Sequence, residues 1–208
     1  MLPKFELLMA ETLPEALEML VDRGPDARPM AGGTNLIPDM RAGTHHPSTV
    51  VNVEGLSELG GIRRENGHVV VGSGVTLAEV LRSDLIAEHG RPLQDAARVF
   101  ANPLVRNRAT IGGNLGNASP AADTAPPLLA LGAEVELSTT DGSRWVGLHD
   151  FFVHVCDTVC EPRDLITAVR WDAPSARSVG GFRKLSVRKG MAISAVSSAA
   201  QVTRDDDG

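Results

Sequence analysis

Two short segments of this chain carry residues suited to gripping an anion: Ala31-Gly32-Gly33-Thr34-Asn35-Leu36 and Thr110-Ile111-Gly112-Gly113-Asn114-Leu115-Gly116-Asn117. Paired glycines remove the side chains that would keep the main chain away from a bulky ligand. Thr and Asn add hydroxyl and amide donors. A turn that leads into a helix also points free N–H groups and the positive end of a dipole at one spot. Each segment therefore suits a diphosphate. One Gly-Gly pair alone reads as an ordinary turn; two, both flanked by Thr and Asn and both following an apolar element, point to a ligand without saying which nucleotide. Gly72-Ser73-Gly74 competes as a dinucleotide fingerprint, since it follows a strand and precedes a helix, but Leu77 stands where the third glycine belongs.

Other candidates carry less. His45-His46-Pro47 suggests a metal, yet adjacent histidines point apart and no third ligand stands nearby, so a surface turn is expected. Cys156 and Cys160 make neither a Cys-x-x-Cys pair nor a disulfide framework and read as small packing residues. Arg106 and Arg108 precede the second glycine segment but read as solvent-facing. No catalytic acid or base of the chain's own is conspicuous.

The elements around these segments follow from spacing. Thr12-Leu13-Pro14-Glu15 is a capping box, and Leu13, Ala16, Leu17, Leu20 and Val21 behind it predict a helix over 12–23. A strand at 27–31 runs into Gly32-Gly33, and a short helix at 35–41 ends at Gly43. Strands follow at 49–53 and 68–71, a second capping box opens a helix at Thr76, and Pro92 starts another. Residues 101–127 read as one long irregular stretch rich in Asn, Gly, Ala, Ser and Pro. After it come the end of a short helix at 128–131, a hairpin of 133–138 and 144–146 turning at Asp141-Gly142, and a strand at 165–171. Residues 174–181 read as a linker, and 182–187 and 192–202 as strands. Arg204 to Gly208 reads as a hairpin turn whose second strand is missing.

With 208 residues, 42% of them hydrophobic, and a net charge of −6, the chain has material for a sizeable core and no basic face for nucleic acid or an anionic membrane. The N-terminus lacks a secretory pattern, and no apolar run is long enough for a membrane span, so a cytoplasmic location is expected.

Taken together, the two glycine segments, Val71-Gly72-Ser73-Gly74-Val75-Thr76, Ser119-Pro120-Ala121-Ala122-Asp123, and the run from Pro126 to Ala133 resemble the FAD subunits of the molybdenum hydroxylases, the xanthine and carbon monoxide dehydrogenase family with a PCMH-type FAD-binding domain. The resemblance extends from Phe5 to about Val202. It implies an α+β fold of two α/β subdomains, 1–55 and 56–173, with FAD between them, and at 174–208 the start of a largely missing C-terminal domain.

The resemblance assigns the flavin diphosphate to Ala31, Gly32, Gly33, Thr34, Asn35, Leu36, Thr110, Ile111, Gly112, Gly113 and Asn114. It also places Asp123 on the adenosine or ribityl side, the Leu165 backbone at the flavin ring, and Lys184 at the pyrimidine edge. Asp123 as the cap of a helix, Leu165 as a plain strand residue and Lys184 as a solvated lysine stay open as alternatives. The chain has no tyrosine, which leaves Phe182 or Trp171 to stack on the ring. No metal cluster is expected in this chain, because it has no cysteine before Cys156.

The same resemblance implies two partners, a small subunit with [2Fe–2S] clusters and a large molybdopterin subunit. FAD here would take electrons from the clusters and hand them to NAD, a quinone or another acceptor. A free-standing flavin oxidase of the same superfamily and a truncated, non-catalytic assembly module are the competing readings.

Overall fold

The computed structural model describes residues 2–188 and 190–204; the turn expected at 205–208 lies outside them. The first elements are β1 (Glu6–Met9), α1 (Leu13–Arg23), β2 (Ala27–Met30), α2 (Leu36–Ala42) and β3 (Thr49–Asn52). The three strands form a parallel sheet in the order β1-β3-β2. Thr12 caps α1 by accepting the Glu15 N–H at 3.3 Å, while the Glu15 carboxylate accepts the Glu11 N–H at 2.7 Å. Ala16, Leu17 and Leu20 of α1 then fall on one face and bury against Ala27 and Val51 of the sheet. Full burial of Leu20 contributes about 1.5–3 kcal/mol. Gly43, in the left-handed region at φ +80°, ends α2.

The larger lobe is a five-stranded antiparallel sheet built from β4 (Ile62–Glu65), β5 (His68–Gly72), β6 (Glu134–Thr139), β7 (Gly142–Gly147) and β10 (Leu165–Asp172), ordered β4-β5-β10-β6-β7. Its register sets Val71 opposite Val169, and Val169 opposite Val135. Val69, Val71, Val135, Leu137, Val169 and Trp171 consequently share a core with residues of α3 (Leu77–Arg82), α4 (Asp84–His89), α5 (Arg91–Val99), α7 (Ile111–Gly116) and α8 (Ala125–Ala130). The Thr76–Glu79 capping box opens α3, with both reciprocal hydrogen bonds formed. The short α6 (Pro103–Arg106) precedes α7, and α9 (Leu148–Phe151) leads into a small hairpin of β8 (Phe152–His154) and β9 (Asp157–Thr158). A last hairpin, β11 (Ser178–Ser186) with β12 (Ser194–Thr203), packs against α5 and α8.

Several sequence expectations are corrected here. Residues 101–127 are not one irregular stretch: α6 and α7 lie within it, each started by a capping side chain. Asn102 accepts the Val105 N–H at 2.9 Å and Thr110 the Gly113 N–H at 3.1 Å. Those caps make helices where Gly and Asn content argues against them. The stretch 174–181 is already strand from Ser178. Strands β1 and β4 are additions to the expected elements; both lie mostly exposed at sheet edges and carry no alternation.

The lobes are joined by backbone packed on backbone. Leu56, Leu59 and Leu165 belong to the core of the smaller lobe although all three lie beyond its sheet in sequence. A Cβ on Gly72 would lie 2.3 Å from the Leu59 carbonyl oxygen, and one on Gly32 1.7 Å from the Arg108 carbonyl oxygen. Glycine is required at both crossings for this close approach.

Candidate functional site

Between the lobes lies a cleft of about 680 Å³, within the range of cofactor-sized pockets. One wall is the turn after β2, and Ala31, Gly32, Gly33, Thr34, Asn35 and Leu36 all line it. Gly33 has φ +66°, a bend of the kind that makes successive N–H groups converge. The N–H groups of residues 32–35 meet no acceptor among the described residues. Four consecutive orphan donors on a cleft wall are what an anion would satisfy. Among the described residues, no free lysine or arginine assists them. Arg28, the one Lys or Arg on the cleft wall among the described residues, is tied by Nη1 to the carbonyls of Pro25 at 2.6 Å and Ala27 at 2.8 Å.

The second glycine segment also lines the cleft, through Thr110, Gly112, Gly113 and Asn114, but it is built otherwise. Its N–H groups are already used: Ile111 donates to Val75 O at 2.9 Å, Gly112 to Ser73 O at 2.8 Å, Gly113 to the Thr110 hydroxyl and Asn114 to Thr110 O at 3.0 Å. The expectation of free N–H groups in this turn is corrected accordingly. Gly112 is small because a Cβ there would sit 2.6 Å from the Ser73 Cβ. What this wall offers is surface and side chain: Gly113 is exposed, and the Thr124 hydroxyl donates to the Asn114 carbonyl oxygen, leaving the amide NH₂ without a partner among the described residues. Ile111 does not line the cleft; it is wholly buried in the large-lobe core.

Gly72-Ser73-Gly74 has no free donors either. Its three N–H groups go to Gly61 O, Thr167 O and Leu59 O at 2.8–2.9 Å, which removes it as a separate phosphate cradle.

Asp123 and Lys184 form an ion pair at 2.7 Å, their side chains only 6% and 7% exposed. Neither lines the cleft. Lys184 is therefore no solvated strand lysine. Asp123 is no helix cap: α8 is preceded by Thr124, and no side chain caps it. Burial pushes the Asp123 carboxyl above the usual carboxylate range, with Lys184 pulling the other way. Its Oδ1 is buried and has no hydrogen-bond partner among the described residues. This open acceptor adjoins Thr124, the residue that orients Asn114.

The opposite wall comes from the β8–β9 hairpin and the start of β10: Cys156, Asp157, Thr158, Cys160, Asp164, Leu165 and Ile166. Leu165 is thus on the cleft. Asp164, 1% exposed, accepts a two-pronged pair from Arg144, Nη1–Oδ1 at 3.0 Å and Nη2–Oδ2 at 2.6 Å, and the Glu161 N–H at 2.9 Å. The carboxylate in turn raises the Arg144 guanidinium. Burial pushes the neighbouring Cys160 thiol up, which keeps it protonated.

Trp171 and Phe182, the sequence candidates for stacking, both point elsewhere. Trp171 is in the core, its indole N–H donating to His89 O at 2.8 Å, and Phe182 is buried in β11. The aromatic on the cleft is Phe100, just after α5. Periodicity alone puts it on a helix face; the signal that could have found it is its position immediately before the Asn-rich segment. His45 also reaches the cleft.

A two-lobed α+β domain with a row of unpaired amides in its central cleft defines a class that holds an extended, anionic cofactor between its lobes. The family model described as "FAD binding domain in molybdopterin dehydrogenase" matches residues 3–171. The chain belongs to that family. It is similar to the carbon monoxide dehydrogenase medium chain of Afipia carboxidovorans, 32% identical over 186 residues covering 89% of this chain and 65% of that one. It is also similar to the nicotinate dehydrogenase FAD-subunit of Eubacterium barkeri, 34% identical over 98% of this chain and 70% of that one. Among solved structures, the reconstituted CO dehydrogenase from Oligotropha carboxidovorans superposes with a TM-score of 0.95 at 30% identity, over 99% of this chain and 72% of that one. The chain thus spans about two thirds of the length of these curated relatives. No helix among the described residues is long and apolar enough to cross a membrane.

Proposed function

We propose that this chain is the FAD-holding electron-transfer subunit of a molybdenum-containing dehydrogenase, and that its diphosphate grip is the set of free N–H groups at residues 32–35. Those orphan donors carry the reading, because among the described residues they meet no acceptor of the chain's own and no free lysine or arginine shares their wall. The Asn114 amide and the exposed Gly113 surface bound the same cleft from the other lobe. Asp123 lies off the cleft, so its part is indirect: it stands beside Thr124, whose hydroxyl orients the Asn114 amide. Lys184 holds the Asp123 carboxylate in place. The ring end lies along residues 156–166, where the Leu165 backbone meets it, and Phe100 is the aromatic available to it. When bound, FAD supplies the ability to accept electrons singly and release them in pairs; the chain's residues bind, orient and shield it.

The names of the relatives support a place in a multi-subunit dehydrogenase. In that reading an iron–sulfur subunit delivers electrons, a molybdopterin subunit oxidises the substrate, and NAD or a quinone takes the electrons onward. The chain alone does not turn over the substrate. The test is direct: acid precipitation of the purified chain or its complex, followed by chromatography, should release FAD at up to one per chain. FMN, NAD or no nucleotide overturns the reading. Partners containing iron and molybdenum should travel with the chain from its native source; a homo-oligomer free of both metals counts against the assembly.

A further inference from the structure

Asp164 is the one buried carboxylate on the cleft wall among the described residues; Asp39, Asp157 and Glu161, which also line it, are open to solvent at least in part. All of its contacts come from the protein. Arg144 reaches across from β7 to grip both oxygens, and the Glu161 N–H binds Oδ2 while the Asp164 N–H returns to Glu161 O at 2.9 Å. The carboxylate thereby closes the turn 161–164 and fixes the chain as it enters β10 at Leu165. The arrangement also places a fixed negative charge, neutralised from behind by a half-exposed guanidinium, in the low-dielectric wall of the cleft. Nothing in the diphosphate grip uses this pair.

We propose that Arg144 and Asp164 are positioning residues for the flavin ring: the pair holds the Leu165 segment in place and sets the local charge felt by the ring. This rests on the placement of the ring end along residues 156–166 argued above. Two effects follow from the chemistry. Removing the carboxylate while keeping the guanidinium adds net positive charge beside the ring, which favours the more negatively charged reduced flavin. Removing the guanidinium leaves a buried carboxylate uncompensated and disfavours it. A purely structural role would move both variants in one direction, through a looser turn.

The experiment compares the FAD-loaded wild type with Asp164→Asn, Arg144→Gln and the double variant, reading the flavin midpoint potential and the flavin visible circular dichroism. Expected are a positive shift for Asp164→Asn, a negative shift for Arg144→Gln, and a return towards the wild-type potential in the double variant. Where Arg144→Gln fails to accumulate because its buried charge is stranded, Asp164→Asn and the double variant still decide: a positive shift that the second change reverses supports the proposal. Unchanged potentials and dichroism in the folded variants, or shifts of the same sign in both single variants, overturn it. A wild-type chain that takes up no FAD overturns the placement of the cofactor, and the role of the pair with it; unaltered flavin in the variants overturns only the pair.

Discussion

At the first glycine turn, residues 32–35 leave four successive N–H groups without an acceptor among the described residues, and at the second, residues 111–114 commit all of theirs to Val75, Ser73 and Thr110. The sequences of the two turns are closely alike, yet one leaves its backbone donors unpaired on the cleft and the other is a packed corner. The difference lies in what each glycine faces. Gly32 and Gly112 both give way to protein, to the Arg108 carbonyl and to Ser73, while Gly33 bends the chain through φ +66° and Gly113 lies open to the cleft. A Gly-Gly pair thus combines one residue for close packing with one that shapes the cleft surface. Only in the first turn does the backbone remain free to bind.

The comparison breaks first at Gly32. Gly32→Val places a side chain 1.7 Å from a carbonyl oxygen that cannot swing away. The expected result is a loss of about 3 kcal/mol or more in urea unfolding, together with loss of FAD. Wild-type stability in this variant would show that the lobes do not meet there. At the second turn, Gly112→Ala should cost about 1–3 kcal/mol, and the change should be recovered in good part by Ser73→Gly, since the clash is with the Ser73 Cβ. A double-mutant cycle without coupling removes that account.

The buried Asp123–Lys184 pair gives a pH signature. Because burial raises the Asp123 carboxyl in the folded protein, the folded state holds its proton more tightly than the unfolded chain. The stability this group contributes is fullest below the ordinary carboxylate range and is lost as pH rises through the folded value. Compared with an Asp123→Asn/Lys184→Met double variant, the wild type should therefore lose relative stability as pH rises from about 4, the ordinary carboxylate range, towards neutrality. A constant difference across that interval, measured by urea unfolding at each pH, would argue that the carboxyl is not raised. The smallest effect is expected at the exposed Arg108–Glu54 pair, 2.8 Å apart, beside the Gly32 crossing. Arg108→Ala should change stability by no more than about 1 kcal/mol, less at high salt. A larger loss would mean that the arginine side chain, and not only its backbone, joins the lobes.

Much of this architecture is legible in the residues themselves. The Thr12 cap, whose Glu15 carboxylate takes the Glu11 N–H in place of the Thr12 N–H of a full capping box, the capping box at Thr76, apolar periodicity behind Thr12 and the Asp141-Gly142 turn announce their elements because each depends on residues within a few positions. The strands at sheet edges and the helices α6 and α7 escape such a reading, the former for want of alternation and the latter because single caps outweigh poor helix propensity. In the site, the first turn and Leu165 do lie on the cleft, but the inequality of the two turns is invisible in their sequences. Whether an N–H is free depends on Ser73 and Val75, residues far from the second turn along the chain. The same holds for the Arg144–Asp164 pair and for the place of Phe100 on the cleft, which arise from neighbours that only the folded chain brings near.

The pairing of β5 with β10 carries a consequence for how the protein is made. Gly72 is set opposite Ala168, and the cleft wall at Leu165 belongs to this late strand. During synthesis the first glycine turn emerges early, but it has no opposite wall until the chain has been extended past Leu165. Pairings this distant in sequence form slowly. Both walls of the cleft are therefore complete only once β10 has paired, and until then the β5 edge that takes β10 stays open.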